Sequence, residues 1–435
     1  MKRLSPARLW SGLGTARFRA NFRVVALANI GSQALLLLAS PILSRLFEPA
    51  DFGVLALYVS VTSLVVSMAT LRFDWLMPNA RSDRSAAALF VAGGAVLGCV
   101  TLAVGVVVLV AGETVLPERY AVLQSFAPLI PLGILGLGLH QLYQGWYVRR
   151  SDLLPVSKTK IVQSVGNIAI SITLGLLAFG ALGLLFATLV ASWLGISMLV
   201  RGAPDLGRHL RGLRRRQIVA VARRFTRQAV LSTAVSGLNV ASSQAIILLL
   251  ALVYAPAQVG LVAFAHRLMA APVTIVAQAL SQSFWAHTSD LVQARDYRGL
   301  RRDYLKVTYL LLGLAATLGL VALAAQPLIV PVFGPDWTEL GAIVLALVPL
   351  IWGAAVVSPT NHLVVLNRQG LQLYADILRL GLVGSAIVAA AFFDWDFVWA
   401  VLAVACSSLL GHMVLFFVQL NLHGRLIAQA DGAGR

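Results

Sequence analysis

Arg267 is the residue whose position most strongly suggests chemistry. It lies about eight residues into the apolar stretch Val259–Ala286, which is roughly 12 Å along a helix. A charge at that depth in a membrane costs at least about 2.5 kcal/mol, and such residues usually mark a pathway. We therefore predict a functional role for Arg267. The structural alternative is a pairing with a carbonyl or a neighbouring helix.

Polar residues recur at helical spacing inside the apolar stretches. Steps of three and four residues place each set on one helix face, and such a face meets other helices or water rather than lipid. Hydrogen bonding between helices explains any single set, whereas five sets together favour a shared wet cavity. The sets are Asn29, Gln33, Ser40 and Ser44; Ser60, Ser63, Ser67 and Thr70; Ser164, Asn167 and Ser171; Ser232, Ser236, Asn239 and Ser243; and Arg267, Thr274, Gln278, Ser281 and Trp285.

Three titratable residues are weaker candidates for binding a coupling ion, and the two acids among them also have a structural explanation. Asp74 follows Arg72 at the end of an apolar stretch, where anchoring at the membrane interface is the default role. Asp376 and Arg379 are three residues apart, so they can neutralise each other. His140 is a candidate proton relay because histidine titrates near neutral pH.

Catalytic and metal-binding motifs are absent from the sequence. It contains no phosphate-binding Walker loop, no zinc motif and no GxSxG. The two cysteines, Cys99 and Cys406, form no spacing pattern, so neither a metal nor a disulfide is indicated. We expect a protein that is not an enzyme and that has no cofactor.

The elements that position these residues are membrane spans. Apolar residues make up 59% of the chain and charged residues 12%, with a mean hydropathy of +0.84, against about 25% charged residues in soluble domains. The predicted fold is an all-α polytopic membrane protein with about twelve transmembrane helices. The predicted spans are Val24–Ser44, Phe52–Leu71, Ala86–Ala111, Leu123–Tyr147, Ile161–Phe179, Leu182–Val200, Ala229–Tyr254, Val259–Ala286, Val307–Ala325, Leu340–Val357, Tyr374–Phe392 and Phe397–Leu420.

The positive charges predict how the chain is oriented. The net charge is +17, and with twelve spans thirty of the 34 Lys and Arg residues fall in the segments on one side. Such segments stay in the cytoplasm, so both termini are predicted to be cytoplasmic. The natural partners of these charges are anionic membrane lipids. Nucleic acid is not expected, because aromatic-plus-basic nucleic-acid motifs are lacking.

The arginine-rich stretch Arg201–Gln228 divides the chain into two six-span lobes. Pro49–Gly53 and Pro256–Gly260 follow the first span of each half at an offset of 207 residues, which suggests a parallel pseudo-twofold repeat. Chance is the rival explanation for so short a match. The predicted parts are a basic N-terminal tail (1–23), an N-lobe (24–200), a cytoplasmic linker (201–228), a C-lobe (229–420) and a C-terminal tail (421–435).

Three local motifs carry a resemblance to a known family. The first is Arg45, the turn Pro49–Gly53 and the run Arg72-Phe73-Asp74; the others are Gly260–Leu268 and Phe333–Trp337. In these the chain resembles the bacterial polysaccharide-biosynthesis flippases, the Wzx-type O-antigen and exopolysaccharide translocases of the multidrug/oligosaccharidyl-lipid/polysaccharide exporter superfamily. The resemblance covers most of the chain.

The resemblance implies that an undecaprenyl-diphosphate-linked oligosaccharide is flipped across the bacterial inner membrane by alternating access. It implies substrate contact by Arg267 first, then by Arg45 and Arg72. The polar stripes would meet the sugar hydroxyls, and the candidates are Asn29, Gln33, Asn239, Gln278 and Ser281. The polymerase and glycosyltransferases of the same pathway are further expected partners.

Four alternatives remain open. A MATE-type multidrug antiporter would need a buried acid for cationic drugs, and only Asp74 and Asp376 approach that. A lipid II flippase of the same superfamily is the second. A membrane polysaccharide polymerase or ligase is expected to have a large outer loop for its acceptor chemistry. No predicted outer loop of this chain exceeds about fifteen residues. The last is a non-transporting scaffold for glycan assembly.

Overall fold

The computed structural model describes residues 16–115, 127–357, 360, 362, 363, 366 and 368–433. Within this range the side chains at 16–24, 26, 111–115, 274–283, 285–287, 289, 290, 293, 369, 432 and 433 lie outside the description. The described residues contain helices and no strand, so the all-α prediction is confirmed. The helices are α1 (Ala16–Leu46), α2 (Pro49–Ala69), α3 (Phe73–Leu76), α4 (Asp83–Val115), α5 (Leu129–Arg150), α6 (Leu154–Leu176), α7 (Ala181–Trp193), α8 (Ile196–Arg201), α9 (Pro204–Arg211), α10 (Arg215–Val253), α11 (Pro256–Gln293), α12 (Tyr297–Ala324), α13 (Ile329–Phe333), α14 (Leu340–Ala346), α15 (Val348–Val357), α16 (Gln369–Phe392) and α17 (Phe397–Ala433).

The count of twelve spans is not confirmed. Eight helices in the described residues are long and apolar enough to cross a membrane, and the pair Pro335–Ala346 and Val348–Val357, bent by 48°, would make nine. Helices nevertheless occupy the described part of every predicted span. The predicted break near Gly180–Ala181 is present, because α6 ends at Leu176 and Gly180 has φ +53° before α7.

The chain from α1 to the start of α11 forms one compact unit, residues 20–263. In it α2 packs against α5, α7 and α10, and α4 packs against α5 and α10. Residues 264–435 make up most of the second unit, where α15 and α16 pack on α17 and α12 packs on α15. The predicted six-plus-six lobes and their boundaries stay a prediction.

The two copies of the repeated motif start their helices in the same way. Before α2, the Glu48 backbone N–H donates to Asp51 Oδ2 at 3.1 Å. Before α11, the Ala255 backbone N–H donates to Gln258 Oε1 at 3.2 Å. In both copies a side chain three residues into the helix satisfies the N-cap amide, and proline occupies the first helical position.

The repeated motifs also contact each other within the first unit. A Cβ at Gly53 would collide with the Pro256 carbonyl oxygen, and a Cβ at Gly260 would collide with the Pro49 carbonyl oxygen. Each copy therefore gives the other the same contact, which is the signature of a twofold relation. Only glycine permits this approach of backbone to backbone.

Helix α10 extends far beyond a span. Its 39 residues give about 58 Å of helix, against about 30 Å of membrane hydrocarbon. The predicted linker therefore contains α9 and the first turns of α10. The α10 arginines at 215, 216, 223, 224 and 227 are exposed.

Candidate functional site

Arg267 lies in α11, within the second compact unit, and its side chain is partly exposed. Among the described residues no carboxylate pairs with it. The neighbouring Leu268, Met269 and Pro272 line an apolar cavity of about 180 Å³ that Arg267 does not line. Arg267 is therefore a guanidinium on a helix, and no counter-ion for it is found among the described residues. The side chains of Gln278 and Ser281, predicted on the same face, lie outside the described residues.

In the first unit, the predicted residue Asn29 is joined to a lysine that the sequence analysis did not select. Lys160 Nζ, on α6, donates to Asn29 Oδ1 on α1 at 2.8 Å. His140, on α5, lies close enough to Lys160 to interact with it electrostatically. The structure thus groups two predicted residues, Asn29 and His140, around Lys160. Gln33, one turn after Asn29, is partly exposed.

The sequence does not single out Lys160, because the residue lies in the predicted cytoplasmic connector before the span Ile161–Phe179. The signal that could have found it is Pro155, because a proline near the first helical position predicts that a helix begins there. Helix α6 does begin at Leu154. Lys160 is consequently a helical residue rather than a loop residue.

Arg45 and Arg72 lie on either side of α2 in the sequence. Arg45 is exposed in the last turn of α1. Arg72 has φ +53°, and its guanidinium carbon lies 5.2 Å from the Trp75 ring centroid, within the range of a cation–π contact. Thr70 Oγ1 donates to Asp74 Oδ1 at 2.6 Å, so the Asp74 carboxylate is buried with a partner in its own chain segment.

Several polar stripes bond within the protein. Ser60 Oγ, on α2, donates to Gln244 Oε1 on α10 at 2.9 Å. Asn167 Nδ2 donates to Thr188 Oγ1 across α6 and α7 at 3.3 Å. For these members the structure shows hydrogen bonding between helices, the explanation that applies to any single stripe. Asn239 differs because its side chain is exposed on α10.

Asp376 and Arg379 form a buried ion pair in the second unit. Arg379 Nη2 lies 3.2 Å from Asp376 Oδ1. His412 Nδ1 donates to the Ser408 carbonyl at 2.8 Å, so its Nε2 accepts from Arg379 Nη1 at 3.0 Å. A Cβ at Gly411 would meet the Arg379 side chain, and one at Gly353 would meet His412. The pair is therefore seated in space that two glycines leave open.

A second histidine cluster, absent from the sequence analysis, lies in the same unit. His362 Nδ1 donates to the Thr360 carbonyl at 2.8 Å, so His362 Nε2 accepts from His423 Nε2 at 2.7 Å. The two rings stack with an interplanar angle of 10°, and the edge of Tyr304 meets both. The signal was weak because 61 residues separate the histidines. In the described residues no group of three or more His, Cys, Asp or Glu could hold a metal.

Solved structures show that this fold is shared with membrane transporters. The lipid II flippase MurJ, in an inward closed conformation, aligns with a TM-score of 0.71 at 11% identity, covering 91% of this chain and 87% of MurJ. The eukaryotic MATE transporter AtDTX14 aligns with a TM-score of 0.62 at 15% identity, covering 93% and 96%. A transporter of the MOP superfamily from Pyrococcus furiosus aligns with a TM-score of 0.54 at 14% identity, covering 98% and 99%.

The sequence itself identifies the family. No curated protein matches the chain. The profile of the family described as polysaccharide biosynthesis protein matches residues 42–342, which include Arg45, Arg72 and Arg267. The neighbours in fold are transporters and a flippase rather than enzymes. The chain belongs to the polysaccharide biosynthesis protein family.

Proposed function

We propose that this protein flips undecaprenyl-diphosphate-linked oligosaccharides from the cytoplasmic to the outer face of the bacterial inner membrane. The product would feed O-antigen, capsule or exopolysaccharide synthesis. One observation carries the proposal: Arg267 is a helix-borne cation with no carboxylate partner among the described residues, in a chain of the polysaccharide biosynthesis family. An intramembrane cation without a counter-ion suits an anionic cargo.

Different residues are proposed to bind the diphosphate and the sugars of the cargo. A guanidinium binds the diphosphate by paired, charge-assisted hydrogen bonds, and Arg267 is the first candidate, followed by Arg45 and Arg72. Exposed or partly exposed amides, such as Asn239 and Gln33, suit sugar hydroxyls. The lipid tail stays in the bilayer while the two lobes alternate access.

The two acids that the sequence places close to a span, Asp74 and Asp376, argue against a cationic drug as cargo. A drug antiporter needs a carboxylate that is free to meet a cation. Asp74 accepts the Thr70 hydroxyl, and Asp376 is paired with Arg379. A coupling ion at Asp74, Asp376 or His140 remains a proposal. Any ion at Asp376 must compete with the Arg379 guanidinium.

The test compares surface glycan in the native host after deletion and after Arg267→Ala and Arg267→Lys substitution. Deletion should abolish surface polymer while lipid-linked repeat units accumulate inside. Arg267→Ala should lower export about tenfold or more at normal protein level, because losing a charge-assisted contact with the diphosphate costs about 1.4 kcal/mol or more. Arg267→Lys should retain part of the export.

The matched control is Arg298→Ala. Arg298 is exposed and pairs only with Asp431 among the described residues, at 2.8 Å, and surface pairs contribute little. Export of surface glycan by the Arg298→Ala variant should therefore equal that of the wild type. Unaltered surface glycan after deletion, together with altered drug tolerance, would reject the flippase and favour the antiporter.

A further inference from the structure

The group around Lys160 draws on three helices of the first compact unit. Lys160 is on α6, its acceptor Asn29 is on α1, and His140 is on α5. The Lys160 side chain is partly exposed. An ammonium has three donors, and the Asn29 contact uses one of them. With respect to the described residues, two donors are therefore left for a ligand or for water.

The charge of Lys160 is not neutralised by the described part of the chain. None of the described carboxylates forms an ion pair with it. An ionisable group that interacts with it electrostatically is His140, whose Nδ1 is buried without a hydrogen-bond partner among the described residues. A histidine beside a lysine cannot supply negative charge. An uncompensated cation among packed helices marks a place where an anion can be bound.

Lys160 lies at the predicted cytoplasmic end of its span, where lipid head groups are expected. It lies six residues after the start of α6 at Leu154, about 9 Å along the helix. Asn29 is the third residue of the candidate span Leu27–Leu46. Both residues therefore lie near the predicted cytoplasmic end of the membrane-spanning part of their helices. The phosphate groups of a lipid in that leaflet are expected at this end of the spans.

We propose that Lys160, held by Asn29 and flanked by His140, binds the diphosphate of the lipid carrier at the cytoplasmic leaflet. This proposal rests on the proposed function for the identity of the carrier. Lys160 acts as a point charge with two free donors, which suits a diphosphate whose orientation still changes. Arg267 belongs to the other compact unit and takes no part in this proposal.

The test measures binding of sugar-free undecaprenyl diphosphate to the purified full-length protein in neutral detergent. We expect Lys160→Ala to weaken binding at least about tenfold, as for the loss of a charged contact. Lys160→Arg should stay within a few-fold of wild type because it keeps the charge. Asn29→Ala should weaken binding less than Lys160→Ala, because it removes only the group that orients the ammonium.

Lys158→Ala is the matched control, because Lys158 is an exposed lysine on the same helix two residues earlier. Its affinity should equal that of wild type. Equal affinities of the Lys158→Ala and Lys160→Ala proteins would overturn the proposal. A thermal unfolding curve for each variant separates lost binding from lost folding, and Lys160→Gln replaces Lys160→Ala if the latter unfolds.

Two further probes identify the source of the anion. Inorganic pyrophosphate should compete only at much higher concentration, because it lacks the tail that holds the carrier in the micelle. Phosphatidylglycerol should bind without dependence on Lys160. Lys160-dependent binding of phosphatidylglycerol, without binding of undecaprenyl diphosphate, would overturn the proposal in favour of a general anionic-lipid site. The assay is independent of glycan export, so it can succeed where the export test fails and the reverse.

Discussion

The His362–His423 hydrogen bond is a pH-sensitive contact outside the candidate site. Its hydrogen bonds assign one proton to each ring: His362 donates through Nδ1 to Thr360, and His423 donates through Nε2 to His362. His423 Nδ1 is buried without a partner. A further proton on His362 would convert its accepting Nε2 into a donor and break the contact.

The pH dependence of stability follows from His362. Burial lowers the pKa of His362 from 6.5, and its hydrogen bond to the Thr360 carbonyl offsets part of this. The native state thus keeps the ring neutral, whereas the unfolded chain takes up a proton below about pH 6.5. The free energy of unfolding therefore falls as the pH decreases through this value.

Thermal unfolding at pH 7.5 and 5.5 checks this. His362→Gln keeps a donor and an acceptor but does not titrate, so the melting temperature of this variant should fall less at pH 5.5 than that of the wild type. Equal decreases in the two proteins would show that His362 takes up a proton equally in the native and the unfolded state. Tyr304 and Arg301 are the other titratable groups near the pair.

Single residues were predicted from the sequence only where one segment sufficed. Arg267 stands out because it interrupts an apolar stretch. The ion pair of Asp376 and Arg379 was foreseen because the two are one helical turn apart. Lys160 and the His362–His423 pair were not predicted, because their partners are 131 and 61 residues away. Such contacts depend on which helix faces pack together.

At the scale of elements, α2 and α11 begin with the same motif and the same N-cap hydrogen bond. The sequence predicted the relation from five-residue motifs, and the structure adds the reciprocal contact of Gly53 and Gly260. The continuation of α10 into the arginine-rich stretch was not predicted. Arginine is a good helix former, but its charge was interpreted as a sign of a connector.

Replacing Gly53 by alanine tests the contact between α2 and α11. The added Cβ would overlap the Pro256 carbonyl oxygen, and overpacking of this kind costs about 1–3 kcal/mol. Gly53→Ala and Gly260→Ala should each lower the melting temperature of the purified protein. Gly31→Ala is the control, since nothing lies within 4 Å of a Cβ at Gly31 and alanine is the better helix former. A melting temperature unchanged by all three substitutions would show that the α2–α11 contact is loose.

At the scale of the whole molecule, the distribution of charge predicts the orientation. The all-α polytopic fold could be predicted because apolar runs of spanning length are a local property. The count of twelve spans is not confirmed, because α5 and α6, which carry polar residues, are not among the described helices that are apolar enough to cross a membrane. The packing of α10 against α2 and α4 also depends on contacts between distant segments.

Cysteine labelling tests the orientation. In a protein lacking Cys99 and Cys406, Arg208→Cys should react with a membrane-impermeant thiol reagent only after the cells are opened. Asp336→Cys should react in intact cells, because it lies in a loop predicted to face outward. Labelling of Arg208→Cys in intact cells would reverse the predicted topology.

The reciprocal contact of Gly53 and Gly260 constrains how this sequence can change over generations. Each glycine faces a carbonyl of the other copy of the motif, so a larger residue in one copy is tolerated only if the opposite backbone retreats. Such a movement at one glycine would also disturb the contact of the other glycine, because the same two backbone segments form both contacts. An ancestral duplication would therefore have left two half-sequences that drift apart freely elsewhere but change in step here.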